Sequence, residues 1–355
     1  MGKTVLVINL GSTSTKVAVS KSAEILFTES VPHSAEELKQ YKTIIDQYDL
    51  RERTVLGVLA EKKVPLEQLD GIASRGGNMK PIPGGIYAIC PDMIEDMKSG
   101  KYGQHPNMCG GIVAYQLGQR LNIPALTVDP PTVDELCPSA TYSGIPLIRR
   151  QSSFHALNQK ATARKIAAKL GKGYEEVNLI VAHLGGGISV GAHQRGRVMD
   201  VNNALDGDGP FSPERAGTLP AGDLVKLCYS GEYNLTEVLR LVQGGGGLNA
   251  YLGTTSGLEI EKRIAEGDTA AAEVFEAMAY QVAKEIGACA AVLEGKVDAI
   301  ALTGSLAYSE RLTGSLKSKV GFIADVHLDP GENEMAALAA GAMRYFTGAE
   351  ALSQY

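Results

Sequence analysis

The sequence predicts an α/β protein made of two related lobes, and three observations carry that expectation. At 355 residues the chain exceeds one ordinary domain. Two apolar runs each break on a glycine turn and resume as a second strand, "VLVINLGSTSTKVAVS" and "LIVAHLGGGISVGAH", which sets Asn9 and His183 at matching points 174 residues apart. A spacing near half the chain is what a duplicated domain would leave. Around these hairpins, helical periodicity alternates with short apolar runs, the pattern of layered helices and strands.

In chain order, residues 4–9 read as a buried strand, followed by the turn at Gly11 and a strand of alternating character over 16–20. Helical spacing of apolar residues follows over 34–48, 50–62, 107–121 and 156–170, with strand-like runs at 71–74 and 124–128. The second hairpin occupies 179–183 and 188–193. After it, 223–228, 234–242, 259–265 and 269–293 read as helices, and 299–303 and 321–324 as strands. For the last helix, "DPGE" offers Asp329 as N-cap, Pro330 at the first helical position and Glu332 three residues after the cap. The charged stretch "RRQSS" places the lobe boundary near 150. The expected division is a first lobe over 1–150, completed by a C-terminal helix at 332–355, and a second over 151–331.

A net charge of −6 and the lack of a long basic stretch argue against binding along a nucleic-acid backbone. The five cysteines are scattered with no C-x-x-C pair, so neither a zinc site nor a disulfide framework is expected, and a reducing cytoplasm fits. No signal peptide or membrane span is expected. The glycines carry more information. Three in succession in "HLGGGISVG" exceed what a plain hairpin needs, and a ligand pressed against the backbone would account for them. The tip "GSTSTK" adds hydroxyls and a cation suited to phosphate, although an ordinary Gly/Ser turn would look similar. No segment matches the Walker loop. Gly185, Gly187 and Gly191 imitate a dinucleotide fingerprint, but the β-branched Ile188 and Val190 continue a strand where a helix should open.

Taken in order, "INLGSTSTK", "QHPNM", "VDPP", "SSFHALNQK", "HLGGGISVGAHQRGRVMD", "PERAGTLP" and "DPGENEMAALAAGA" resemble the acetate kinase family, and within it the butyrate kinases, over almost the whole chain. The resemblance implies two duplicated ribonuclease-H-like lobes, the actin-like ATPase architecture shared by sugar kinases and heat-shock-70 chaperones, with an ATP cleft between them. It implies the reaction ATP + carboxylate ⇌ acyl phosphate + ADP with Mg²⁺, and at least a homodimer. "HLGGG" in place of the "HLGNG" typical of acetate kinases, together with the compact chain, points to butyrate or a branched-chain acid. An acetate or propionate kinase is the nearest alternative. An actin- or chaperone-like ATP-binding switch is the alternative from another class.

A carboxylate is ionised at neutral pH, so such a nucleophile needs no general base, and the chemistry rests on cations and donors around the phosphoryl group. By resemblance, Arg75 and Arg215 hold the carboxylate and the phosphoryl group, His155 donates to the latter, and His183 stands beside the glycine loop, with His105 ranked below them. Asn9, Ser12, Ser14 and Lys16 match the family's phosphate-facing hairpin position by position. Gly185, Gly186 and Gly187 would face the nucleotide, as would Gly304 and Ser305 of "LTGSLAYS", where Ser305 replaces a second glycine. Asp129, at a predicted strand end, and Glu332 and Glu334 are the metal-side carboxylates. For Asp129 the bland alternative is a cap on the next turn, and for Glu332 the helix cap. Arg149 and Arg150 are expected to be surface charges.

Overall fold

The computed structural model describes residues 2–103 and 105–355, so that Gln104, which opens "QHPNM", lies outside the described residues. Contacts divide the chain into two units, with breaks between Val133 and Asp134 and between Glu332 and Asn333. The first unit begins with β1 (Thr4–Leu10), β2 (Ser14–Lys21) and β3 (Glu24–Pro32), continues through α1 (Ala35–Leu38), α2 (Tyr48–Glu61), β4 (Gly71–Ser74), β5 (Ile86–Ala88), α3 (Pro91–Ser99) and α4 (Asn107–Leu121), and reaches β6 (Ala125–Val128). The second holds α5 (Ala156–Lys169), β7 (Asn178–Leu184), β8 (Ile188–Gln194), β9 (Arg197–Val201), α6 (Ala221–Cys228), α7 (Leu235–Val242), α8 (Gly247–Leu252), α9 (Gly257–Ala265), α10 (Thr269–Val292), β10 (Ala299–Gly304), α11 (Glu310–Val320) and β11 (Val326–Pro330). The chain then returns to the first unit with α12 (Glu334–Phe346) and β12 (Leu352–Ser353).

The duplication is visible in strand order. In the first sheet the run is β3-β2-β1-β4-β6, extended by β5 and β12, and in the second it is β9-β8-β7-β10-β11. Directions match as well: each opening strand pairs antiparallel with the next, and parallel with the strand that follows the first crossover. This is the ribonuclease-H-like order, present twice.

Why the opening strands read as unbroken apolar runs is clear from what covers them. In β7, Leu179 and Val181 pack with Ala163, Ile166 and Ala167 of α5. Ile180, Ala182 and Leu184 face the other way, into a core with Phe275, Met278, Val282 and Ile286 of α10. A strand with both faces covered has no polar face to show as alternation. In β1, Leu6, Ile8 and Leu10 share a core with Val55 of α2 and Ile112 and Val113 of α4, while the intervening Val5 and Val7 are also fully buried.

Several sequence expectations are corrected. The helix expected over 34–48 is broken: Thr43 and Asp46 exchange side-chain-to-backbone bonds of 2.8 and 3.4 Å, which start a new turn before α2. The strand expected at 321–324 is a turn that closes α11, with Gly321 N donating to Lys317 O, and the strand comes later, as β11. "DPGE" does not cap the last helix. Asp329 and Pro330 end β11 in register with Thr303 and Gly304, Gly331 turns at φ +96°, and α12 begins at Glu334 after Asn333 at φ +40°. Sheet pairing outweighs the local capping preference, and the Asp329 carboxylate is bound by Thr162 and Lys165 instead.

The unit boundary also falls earlier than 150, because residues 134–150 are tied to the second unit. Cys137 N donates to Met199 O, and Arg150 donates to Asp200 at 2.9 Å and to the carbonyls of Ala140 and Val201. Arg150 is therefore a half-buried clamp rather than a surface charge, and Arg149 stacks over Tyr142. Deeper still, the ammonium of Lys160 and the carboxylate of Glu135 meet at 3.0 Å with both side chains almost wholly buried. Each is completed by the backbone, Lys160 donating to Gly196 O and Glu135 accepting from Val198 N. All five cysteines are free, and no helix among the described residues is long and apolar enough to cross a membrane.

Removing one partner of a buried pair strands the other charge. Glu135→Gln, which takes the carboxylate away from the buried Lys160 ammonium, is expected to lower the unfolding free energy by about 3–5 kcal/mol, measured as a fall in the denaturation midpoint; an unchanged midpoint would mean that the pair adds nothing to stability.

Candidate functional site

In the second unit the predicted residues gather where β7 and β10 end and α5 begins. His155 precedes the first turn of α5 and His183 lies on β7, and their rings stack with centroids 3.7 Å apart at 10°. His183 is 2% exposed. Its Nδ1 lies 2.7 Å from Asn158 Oδ1, while Asn158 Nδ2 donates to the carbonyls of Gly331 and Glu332. Carbonyls only accept, so the amide orientation follows, and His183 must donate from Nδ1. Its Nε2 stands 3.9 Å from Glu332 Oε1, an ion pair when the ring is protonated. On His155, Nδ1 meets Ser189 Oγ at 2.9 Å.

The glycine turn at 185–187 is explained in part by the chain itself. A Cβ on Gly185 would lie 2.9 Å from His183 Nε2, one on Gly186 3.2 Å from Glu214 Oε1, and one on Gly187 1.8 Å from Arg215 Nη1. The side chains of "PERAG" therefore lie across the turn, anchored by Ser212 Oγ donating to Gly186 O at 2.6 Å and Glu214 N donating to the same carbonyl. Arg215 donates from Nη1 to Ala204 O at 2.6 Å, while its Nε is buried with no hydrogen-bond partner. Burial pulls the guanidinium pKa down, opposed by Glu214 and Asp206. A buried cation with an unanswered N–H is suited to an anion.

Gly304 closes β10 at φ +87°, where a Cβ would sit 2.3 Å from Leu184 O. It exchanges backbone bonds with Gly331 at 3.2 and 2.9 Å, and Thr303 Oγ1 donates to the same Gly331 carbonyl. Ser305, next in the chain, is exposed.

In the first unit a second group forms at the end of β1. Asn9 Nδ2 donates to Glu334 Oε2 at 2.6 Å, and Arg75 Nη1 pairs with Glu334 Oε1 at 2.8 Å, so both carboxylate oxygens of Glu334 are engaged at the first turn of α12. His105 accepts from Asn107 N at Nδ1, and burial, then the Arg75 charge, hold its pKa below the usual histidine range despite Glu334. Asp129 is 1% exposed, at φ +41°, and accepts from Gly85 N at 2.9 Å. The hairpin tip is only residues 11–13. Ser14 and Lys16 belong to β2, with Lys16 opposite Asn9 and its side chain exposed, and Ser12 is exposed at the tip.

Sequence reading missed Arg51, which is 0% exposed. All five of its N–H groups are answered by Ser12 O, Ser14 O, Thr15 Oγ1 and, twice, Gln47 Oε1. It pins the carbonyls of the hairpin tip from behind and sets a positive charge there. An arginine within an ordinary amphipathic helix carries no signal of this. Also missed were Asn158, Gln159 and Ser189, although the first two lie in the quoted "SSFHALNQK".

Gly304→Ala is expected to cost about 1–3 kcal/mol or more from positive φ and the clash with Leu184, seen as a lowered thermal midpoint; wild-type stability would show that β10 and β7 relax apart freely.

Residues 138–337, more than half of the chain, match the model of the Acetokinase family. Among solved structures, acetate kinase from Porphyromonas gingivalis is similar at 18% identity and a TM-score of 0.79, over 97% of this chain and 100% of that one. A propionate kinase from Francisella tularensis gives 19% and 0.74 over 96% and 98%, and acetate kinase from Entamoeba histolytica 14% and 0.75 over 96% and 98%. At these identities the likeness is one of fold.

Proposed function

This chain belongs to the acetokinase family, and from that premise we propose that it transfers the terminal phosphoryl group of ATP reversibly to a short-chain carboxylate, most favourably butyrate or a branched-chain acid. The observation that carries the reading is the group at the glycine turn: a largely buried guanidinium, Arg215, and two stacked imidazoles, with the turn's glycines shaped to receive them. Cations and neutral donors are what two anionic reactants require, and a carboxylate nucleophile needs no base. In the transfer, a carboxylate oxygen forms a bond to the γ-phosphorus as the bond to the β,γ-bridging oxygen breaks, and ADP leaves with that electron pair. No proton has to move.

In this reading Arg215 and His155 serve the phosphoryl group and Arg75 the acid. Arg75 keeps one nitrogen on Glu334 and offers the rest of its fork. Asn9, Ser12, Ser14 and Lys16 serve the phosphates, and Gly304 and Ser305 the nucleoside. Among the described residues no three His, Cys, Asp or Glu side chains are placed together to hold a metal. A Mg²⁺ would be held mainly by phosphate oxygens, with Glu334, Glu332 or Asp129 contributing, and would supply charge neutralisation. The preference for a longer acid rests on the resemblance of "HLGGG" and of the compact chain to butyrate kinases.

Hydroxamate formation from Mg-ATP, hydroxylamine and a series of acids tests this directly. A kcat/KM maximum at butyrate or a branched neighbour is expected. An acetate or propionate maximum would overturn the chain-length assignment alone, and no acid-dependent ADP would favour an ATP-binding switch. Arg215→Ala and Arg75→Ala are each expected to reduce kcat/KM by about 10²-fold or more.

We further read the protein as a homo-oligomer of the cytoplasm. Val225 and Tyr229 at α6 and Leu235 and Leu239 on α7 are 56, 87, 74 and 56% exposed, each pair at the four-residue spacing of one helix side, and exposed apolar side chains so placed are suited to a second copy. Light scattering should give at least a dimer mass, falling to the monomer in Leu239→Glu; a monomeric wild type would refute it.

A further inference from the structure

Resting on the reading of His155 as a donor to the phosphoryl group, we propose that Tyr174, His193, Gln159 and Ser189 form a relay of hydrogen bonds that fixes the proton of neutral His155 on Nε2. These four are positioning residues. None of them is among the residues assigned above to substrate.

The direction of the relay can be read from one anchored atom. Gln159 Nε2 lies 3.0 Å from Ser189 O, and a carbonyl only accepts, so this amide atom is the nitrogen. The same nitrogen lies 2.8 Å from Ser189 Oγ and donates to it. Gln159 Oε1 then faces His193 Nε2 at 2.9 Å, so His193 donates from Nε2. On its other side His193 Nδ1 stands 2.7 Å from Tyr174 Oη. His193 is 0% exposed, and burial, with the charges of Lys160 and Arg164, drives its pKa well below the ordinary value. The ring is neutral, and with its proton on Nε2 its Nδ1 accepts from the tyrosine hydroxyl.

Ser189 is 0% exposed as well. Its oxygen accepts from Gln159, and the remaining side-chain contact it makes among the described residues is with His155 Nδ1 at 2.9 Å. Were His155 to donate there, the serine proton would be buried without an acceptor, which is costly. Ser189 therefore donates to Nδ1, and the proton of His155 resides on Nε2. The stacked neighbour is set oppositely, since His183 donates from Nδ1 to Asn158. A lone pair on His155 Nε2 would repel a phosphoryl oxygen, whereas an N–H there stabilises it. The relay thus holds the productive tautomer before substrate arrives.

The test is the tautomer itself, read on the full chain labelled with ¹⁵N-histidine, at alkaline pH, with His155 assigned by its loss in His155→Gln. A pyridine-type Nδ1 and pyrrole-type Nε2 are expected; a proton on Nδ1 overturns the proposal. In Gln159→Glu, Ser189 would turn its proton to the new carboxylate, and the His155 proton should move to Nδ1. The turnover number should then fall about tenfold or more while the KM for ATP changes less than about twofold. Lost turnover with an unchanged tautomer also overturns the relay. Should that variant not fold, Ser189→Ala removes the donor, and intermediate ¹⁵N shifts are expected; retention of the wild-type pattern counts against it. The predicted tautomer in a protein without acid-dependent turnover would sink the kinase reading and leave the relay standing, and the reverse result would sink the relay alone.

Discussion

The approach of two strand ends sets the geometry of the second unit. Gly304, at the end of β10, lies so near Leu184 of β7 that no side chain fits between them, and its backbone is free to pair with Gly331. From that pairing the rest follows. The carbonyls of Gly331 and Glu332 hold the amide of Asn158, Asn158 holds His183, and His183 supports the ring of His155. A chain of short contacts with few rotatable bonds carries a backbone constraint out to the nitrogen that would meet substrate. Preorganisation of this kind is what phosphoryl transfer asks of a protein, because there is little covalent chemistry for it to perform.

The first unit meets a different electrostatic requirement. Its cations are restrained by groups of their own unit: Glu334 engages Arg75 and Asn9 together, and Arg51 satisfies all five donors on neutral oxygens. The difference is physically useful. Arg75 is paired and a quarter exposed at its side chain, so that on the proposed function its free nitrogens are the ones that meet the acid, whereas Arg51 is wholly enclosed and acts through the carbonyls it holds.

How much of this was legible depended on whether a residue's environment was local. The opening strands of both sheets and the helices beginning at Asn107, Ala156 and Thr269 were readable because burial on a repeating face leaves a period in the sequence. The third strands, β3 and β9, and the short β5 and α3 left too little pattern. "DPGE" is the instructive failure: its residues are those of a helix cap, yet Asp329 and Pro330 pair with Thr303 and Gly304, 26 positions earlier in the chain. Among site residues, Arg75, His155, His183 and Arg215 stood out within recognisable motifs. Arg51, Gln159 and Ser189 did not, because a buried polar residue is identified by what surrounds it.

By itself, then, the sequence determined the duplicated α/β architecture and the inventory of arginines, histidines and glycines, since apolar periodicity and glycine turns are consequences of residues near in the chain. Tertiary structure decided which glycines are required by the protein's own side chains, which carboxylates are already engaged, and which way each hydrogen bond runs. Those depend on atoms far apart in sequence brought within about 3 Å, and no local pattern encodes the direction in which a proton is held.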